Sequence, residues 1–331
     1  MLQTRIIQRI SKYHQTAATM TFTSIKSFGE IASLYDGFIL DQFGVMHNGS
    51  QSLPGSVKCI EKLASMGKKL IILSNTSSPS ETALRKLPKL GFDPDLFIDA
   101  VTSGQEAAHY IKEKYGSASN DAQAKKALWI TWADPVVPLA FMSICGNIQV
   151  TTNVDEADFV IVHGTDVLRS QDGIENVSLG DYMKSGDLSV IDPILEACHK
   201  RGIPMVCANP DLIVKLPGDV TAHMPGKISK KYEAMGGDCT NFGKPHAEHF
   251  KACLRDLGLD ADRVVHVGDS LHHDIAGANE AGISSIFITG GIHSDDFDCS
   301  IGEIPDKKTL QELFEKENQF PTHVAPLLQY L

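Results

Sequence analysis

A chain of 331 residues, 42% hydrophobic and 21% charged, has the composition of a globular protein and room for one large domain or two ordinary ones. A formal net charge of -11 argues against nucleic acid as the main partner, because backbone binding needs a basic surface; a small anionic substrate stays open, since a local site can oppose the global sign. No apolar run reaches the roughly 18 residues of a membrane span, so no membrane partner is expected. The cysteines (Cys59, Cys145, Cys198, Cys207, Cys239, Cys253 and Cys299) form no C-x-x-C pair and are odd in number, which reads as reduced core thiols rather than a disulfide framework or a zinc site.

The N-terminal stretch MLQTRIIQRISKYHQTAATMTFTSIKSFG carries Arg5, Arg9, Lys12 and Lys26 and no acid before Glu30. On a helix Arg5, Arg9 and Lys12 share one face and Ile6, Ile7 and Ile10 another, with serines and threonines following. Two readings stay open: an organelle transit peptide, mitochondrial in type, or a disordered or translation-start extension with Met20 as a second start. On either reading residues 1–28 stay outside the expected fold.

From Ile39 onward strand and helix patterns alternate. GFILD reads as a buried strand, VKCIEKLASMG as a helix stopped by Gly67, KKLIILSN as a strand and SPSETALRKLPKLG as a helix. The grammar returns late in the chain: HAEHFKACLRDLG helix, RVVHVGD strand, HDIAGANEAG helix, SSIFITGG strand. Between lie ALWIT, IQVTT, DFVIVHG and PMVCAN as strands and DPILEACHKRG as a helix. Such alternation implies βαβ units and a parallel sheet. The expected architecture is a Rossmann-like α/β core, residues 29–104 and 221–331, interrupted by an inserted α/β domain, residues 105–220. The entry falls at Ser103-Gly104 and the exit near Pro217-Gly218 or Pro225-Gly226, where turn residues cluster.

Polar landmarks close the presumed core strands, and in open parallel sheets ligands bind beyond those carboxyl ends. Asp41 closes the first strand and Ser74-Asn75 the second. Lys244 sits in NFGKP ahead of a helix. Asp269 closes VVHVGD, with Asp274 five residues later in GDSLHHD. Singly, each is ordinary: an aspartate after a strand is often an N-cap, and Ser-Asn before a helix is often a cap. The two acids bracketing a strand-to-helix turn are the most specific feature and suit a hard cation such as Mg2+.

In this order the motifs resemble the haloacid dehalogenase superfamily, and the insert between the serine and lysine motifs resembles the cap of its class IIA branch, which holds 4-nitrophenyl, pyridoxal and phosphoglycolate phosphatases. GV-x-x-x-G after the first aspartate, SN, ANPD, GKP and GDS fit that branch. The resemblance implies a phosphatase of a small phosphorylated metabolite with Mg2+ as cofactor, and a homodimer through the cap is an arrangement common in similar proteins. Asp41 would be the nucleophile, Ser74 and the amides of Asn75 and Thr76 would hold phosphate oxygens, and Lys244 would balance charge. Asp41, Asp269, Asp274 and the backbone carbonyl of Phe43 would form the metal site, with Asn209 and Asp211 of the cap segment meeting substrate or simply making an Asn-Pro-Asp turn.

One position departs from the pattern. Family phosphatases carry an acid two residues after the nucleophile, for proton transfer; here that residue is Phe43. Three readings follow: His47 on the next turn supplies the proton, against the plainer view of an exposed turn histidine; the substrate has a good leaving group, such as an acyl or aryl phosphate; or the protein mainly binds a phosphorylated ligand. His272 and His273 are expected to flank the metal site, at least one solvated, and His293, Asp295 and Asp296 to form a solvated loop. DQFGVMHNG lacks the G-x-G-x-x-G of a dinucleotide-binding oxidoreductase, and Pro245 after Lys244 rules out a Walker loop. A receiver domain would be much shorter and lack the late acid pair.

Overall fold

The computed structural model describes residues 22–116, 124–216, 218 and 220–331. Residues 1–21, which hold most of the basic N-terminal segment, and Pro217 of the expected cap exit lie outside the described residues.

Along the chain come β1 (Thr23–Ser24), β2 (Gly37–Leu40), β3 (Lys69–Ser74) and β4 (Ala100–Thr102). The insert follows with β5 (Lys126–Thr131), β6 (Gln149–Thr151), β7 (Phe159–Val162), β8 (Val167–Leu168), β9 (Val177–Ser178) and β10 (Met205–Cys207). Next are β11 (Ile213–Leu216), β12 (Val220–His223) and β13 (Cys239–Asn241), then β14 (Val264–Gly268), β15 (Ser284–Ile288) and β16 (His323–Ala325).

The first sheet runs β1-β16-β15-β14-β2-β3-β4, every pair parallel. Its central strands are apolar throughout because helices cover both faces. Ile39 and Ile71 point to the side where the helix Ala247–Leu257 buries Phe250, Cys253 and Leu257. Their neighbours Leu40, Leu70 and Ile72 point to the side where the helix Ser56–Ser65 buries Cys59, Ile60 and Leu63. The second sheet runs β13-β10-β7-β5-β8-β9, with β6 also on β5. It too is sandwiched: Leu128, Ile130, Val160 and Val162 face one cluster, Ala127, Trp129, Phe159 and Ile161 the other. The antiparallel pair β11–β12 stands apart from both sheets.

The α/β core with an inserted α/β unit is therefore as the alternation predicts. Two boundaries are corrected. Thr23 and Ser24 pair with His323 and Val324 at the sheet edge, and Ile25 and Phe28 are fully buried, so residues 22–28 belong to the fold. At the other end, β13 pairs with β10, and the helix Pro225–Ala234 buries Ile228 and Tyr232 in the insert's own core. The insert thus extends past residue 220 to Asn241. Gly218 lies between the two strands of a hairpin, and Pro225-Gly226 open a helix, both inside the insert rather than at its exit.

Candidate active site

β14, β2 and β3 are neighbours, so their carboxyl ends open on one lip of the sheet. Asp41 follows the last residue of β2, Ser74 is the last residue of β3, and Asp269 follows the last residue of β14. Lys244 arrives from the insert. Gly243 just before it has φ +115°, and a Cβ there would sit 2.4 Å from Asn75 Oδ1, so only glycine allows the approach. Asn75 fixes the crossing: its Oδ1 accepts from Lys244 N at 2.7 Å, and its Nδ2 donates to Lys244 O at 3.3 Å and to Asp211 Oδ1 at 2.8 Å.

Held in this way, the Lys244 ammonium is buried between two carboxylates. Nζ donates to Asp41 Oδ1 at 2.6 Å and to Asp274 Oδ1 at 2.8 Å. Asp274 also accepts from His266 Nε2 at 2.8 Å and from Ser270 N at 3.0 Å. Burial works to raise the Asp274 pKa, but Lys244 and His266 outweigh it and hold the carboxyl below its ordinary value. Burial likewise opposes the charge on Lys244, and the two carboxylates restore it, leaving its pKa raised. Asp41 is pushed up to about 7, by burial first and despite Lys244. Burial, then the charges of Asp41 and Asp274, push Asp269 well above the usual carboxylate range, although Ile292 N donates to its Oδ2 at 2.7 Å.

These three acids have the chemistry of a cation site. One oxygen from each of Asp41, Asp269 and Asp274 lies within 4.8 Å of the others, all buried. Burial first of all raises the pKa of Asp41 and of Asp269, and a divalent cation would favour their ionised forms. Among the described residues no donor reaches the Phe43 carbonyl, so that oxygen remains available beside them. The Phe43-Gly44 turn passes directly over Asp269: Gly44 has φ +81°, and a Cβ there would lie 1.9 Å from Asp269 Oδ2. Hard oxygen donors in this set fit Mg2+.

A cavity of about 260 Å³ opens in front of the cluster and brings together Asp41, Phe43, Ser74, Asn75, Asp211, Lys244, Asp269 and Asp274. His47, Thr76 and Asn209 do not line it. His47 is 8% exposed, not the solvated turn residue of the plainer reading. Its Nδ1 accepts from Gly49 N at 3.1 Å, and burial pushes its pKa down to about 4. Thr76 Oγ1 accepts from Ser78 N at 3.2 Å, and its carbonyl accepts from Ser103 Oγ at 3.1 Å. Asn209 Oδ1 accepts from Asp211 N at 3.0 Å, the ordinary turn chemistry of Asn-Pro-Asp.

Of the two histidines in the metal motif, His272 is solvated and sits 3.1 Å from Glu317, while His273 lines the cavity with Nδ1 3.4 Å from Asp211 Oδ1. The hairpin residues Ile213 to Leu216 also line the cavity, together with Asn48, Leu53, Ile292 and Ile301, none of which the motifs point to. The run LIVKL directly after Asp211 was the available signal, since a half-buried apolar strand next to a site acid must face something. The loop expected to be solvated is tied to this hairpin: Lys215 Nζ donates to Asp295 Oδ2 at 2.5 Å, although Asp295 itself is largely exposed.

Three family models match the chain: haloacid dehalogenase-like hydrolase over residues 38–137 and, in a second model, over 187–282, and a HAD-hydrolase-like model over 241–328. Among curated proteins, a 4-nitrophenylphosphatase of Schizosaccharomyces pombe is 24% identical over 83% of this chain and 90% of its own length. A dihydroxyacetone phosphatase of Corynebacterium glutamicum is 22% identical over 78% of this chain and 82% of its own. In fold, a haloacid dehalogenase-like hydrolase from Brucella suis superposes with a TM-score of 0.68 at 22% identity, covering 92% of this chain and 99% of the other. A p-nitrophenyl phosphatase from Archaeoglobus fulgidus gives 0.62 at 23% identity, covering 89% and 97%.

Proposed function

Since the chain belongs to the haloacid dehalogenase-like hydrolases, we propose that it is a Mg2+-dependent phosphatase of small phosphate esters, working through an aspartyl-phosphate on Asp41. The observation that carries this reading is Lys244 Nζ at 2.6 Å from Asp41 Oδ1, inside a buried cluster that also holds Asp269 and Asp274. Curated phosphatases similar along most of the chain support it.

Asp41, Asp269 and the Phe43 carbonyl would hold the ion. Asp274, whose oxygens already accept from Lys244, His266 and Ser270 N, would orient that shell. When bound, Mg2+ draws charge off the phosphoryl oxygens and favours the ionised form of the acids around it. The Asp41 carboxylate attacks phosphorus; the ester P–O bond breaks, and its electron pair leaves with the leaving-group oxygen. Lys244 faces the negative charge gathered at the phosphoryl group, and Ser74 Oγ donates to one of its oxygens. In the second half a water oxygen bonds phosphorus and the bond to Asp41 breaks. Inorganic phosphate leaves, carrying the elements of water.

Phe43 can neither protonate the leaving oxygen nor activate that water, help typically worth about 10²–10⁴-fold. The substrate favoured by this site is therefore one whose leaving oxygen is stable without a proton, an aryl or acyl phosphate. The test is phosphate release from 4-nitrophenyl phosphate and a panel of alkyl phosphates, with and without Mg2+, using Asp41→Asn as the blank. Release from the aryl ester, lost on chelation and in Asp41→Asn, is the expected result. Tight binding of phosphate esters with no release from any of them would instead make the protein a binding module, which Phe43 alone favours.

A further inference from the structure

The cavity's lining is of two kinds. The acids, Lys244 and Ser74 mark the place where phosphorus would sit. The same lining includes the apolar side chains Phe43, Leu53, Ile213, Leu216, Ile292 and Ile301, contributed by the nucleophile turn, the hairpin and two core loops. Five of these six are half-buried, and Ile301 is 68% exposed, so a ligand body filling the space would take further apolar surface out of water. Asn48, Ser270, His273 and Ser294 are polar members of the same lining, beside Asp211 and Lys215. Lys215 is held by Asp295 at 2.5 Å, and Asp211 accepts from Asn75 and lies beside His273. A second anionic group on the substrate would meet the Asp211 carboxylate and a cation, Lys215, already paired with Asp295. A polyol would place those of its hydroxyls that face the six apolar side chains against groups that can neither donate nor accept. At about 260 Å³ the space is just below the roughly 300–1,000 Å³ of pockets for drug-sized ligands.

Resting on the phosphatase reading, we infer that the leaving group is a small, uncharged, apolar body, a single aromatic ring or the short branched chain of an acyl phosphate, and not a sugar or other polyol. Phe43 is the member of this apolar set nearest the nucleophile in sequence. Two residues after Asp41, the chain places the start of an apolar seat.

The test compares cyclohexylmethyl phosphate with glucose 6-phosphate, both esters of primary alcohols on a six-membered ring, as competitors of 4-nitrophenyl phosphate turnover. Cyclohexylmethyl phosphate is expected to compete at a concentration about 10²-fold lower, the scale on which an apolar pocket rejects an added hydroxyl. Leu216→Asn or Ile301→Asn, each a member of the apolar set, is expected to shrink that ratio below about tenfold. Equal or tighter competition by glucose 6-phosphate overturns the inference, as does a ratio unmoved by both substitutions. If 4-nitrophenyl phosphate is not turned over at all, the phosphatase reading fails separately. The same pair of esters is then compared by calorimetry on Asp41→Asn, where a preference for the sugar phosphate again overturns the apolar seat.

Discussion

The ring of Phe43 stands edge-on to the ring of His47, with centroids 6.1 Å apart and planes at 87°. His47, the histidine that the sequence offers for proton transfer, is thus packed against Phe43. Its Nδ1 is taken by Gly49 N, and burial favours its neutral form. His47→Ala should leave kcat/KM for 4-nitrophenyl phosphate within about tenfold, short of the roughly 10²–10⁴-fold of a lost general acid. Its cost should appear in chemical denaturation, about 1–3 kcal/mol for a buried hydrogen-bonded group. A change in the shape of the pH–rate profile would return His47 to the chemistry.

Phe43→Asp places a carboxyl where proton transfer needs it. Turnover of alkyl phosphates should rise by about 10²-fold while the aryl ester, which needs little protonation, changes far less. Steady-state kinetics on matched alkyl and aryl esters decides this. Alkyl rates that stay at the wild-type level would mean that another step limits them.

Gly44 is the tightest contact in the metal turn, since a Cβ would lie 1.9 Å from Asp269 Oδ2 and the backbone has φ +81°. Gly44→Ala should shift both the turn and the carboxylate beneath it. Isothermal titration with Mg2+ should show affinity weakened by about 10–100-fold, the scale seen when the support of a metal ligand is disturbed. An unchanged Mg2+ affinity in a folded variant would argue that Asp269 and the Phe43 carbonyl do not hold the ion.

His163 links the insert to the core. Its Nδ1 accepts from Thr131 Oγ1 at 2.8 Å, its Nε2 donates to Ser77 O at 3.1 Å, and the Phe141 ring lies 4.3 Å away. Burial pushes its pKa from 6.5 down to about 3. Above 6.5 the ring is neutral whether the chain is folded or not, so its contribution is fully present. Between 6.5 and about 3 only the unfolded chain takes up the proton, so stability falls as pH falls, by roughly 1 kcal/mol per unit from this group. Thermal melts of the wild type should decline across that window. His163→Gln should start lower at pH 8 and decline less steeply; a parallel decline would assign the acid sensitivity to other groups.

The placement of the candidate site was legible where it depends on residue type at a strand end. Asp41, Ser74 and Asp269 close parallel strands that open on one lip whatever the details of packing, and order and spacing in the chain point to Lys244 and Asp274 beside them. Thr76 and Asn209 were not separable from site residues by sequence, because a turn side chain bonded to its own backbone has the same composition as one facing a ligand. The cap boundary failed for a related reason: the turn residues near 217 and 225 are real, but only strand pairing reveals that β13 closes the insert's sheet at Asn241. The apolar hairpin residues Ile213 and Leu216 lay beyond pattern reading, since their role comes from lining a cavity formed by residues far away in sequence.

The proposed mechanism turns on a covalent step at Asp41. With Phe43 unable to activate water, breakdown of the aspartyl-phosphate should be slower than its formation, so the intermediate should accumulate. The direct measurement is rapid mixing with 4-nitrophenyl phosphate and Mg2+, acid quench, and peptide mapping of the phosphorylated residue. A burst of 4-nitrophenolate matching the enzyme concentration, with the phosphoryl group on the peptide containing Asp41 and absent in Asp41→Asn, is the predicted result. Steady release of phosphate from the first turnover, with no burst and no label on Asp41 at any quench time, would contradict it.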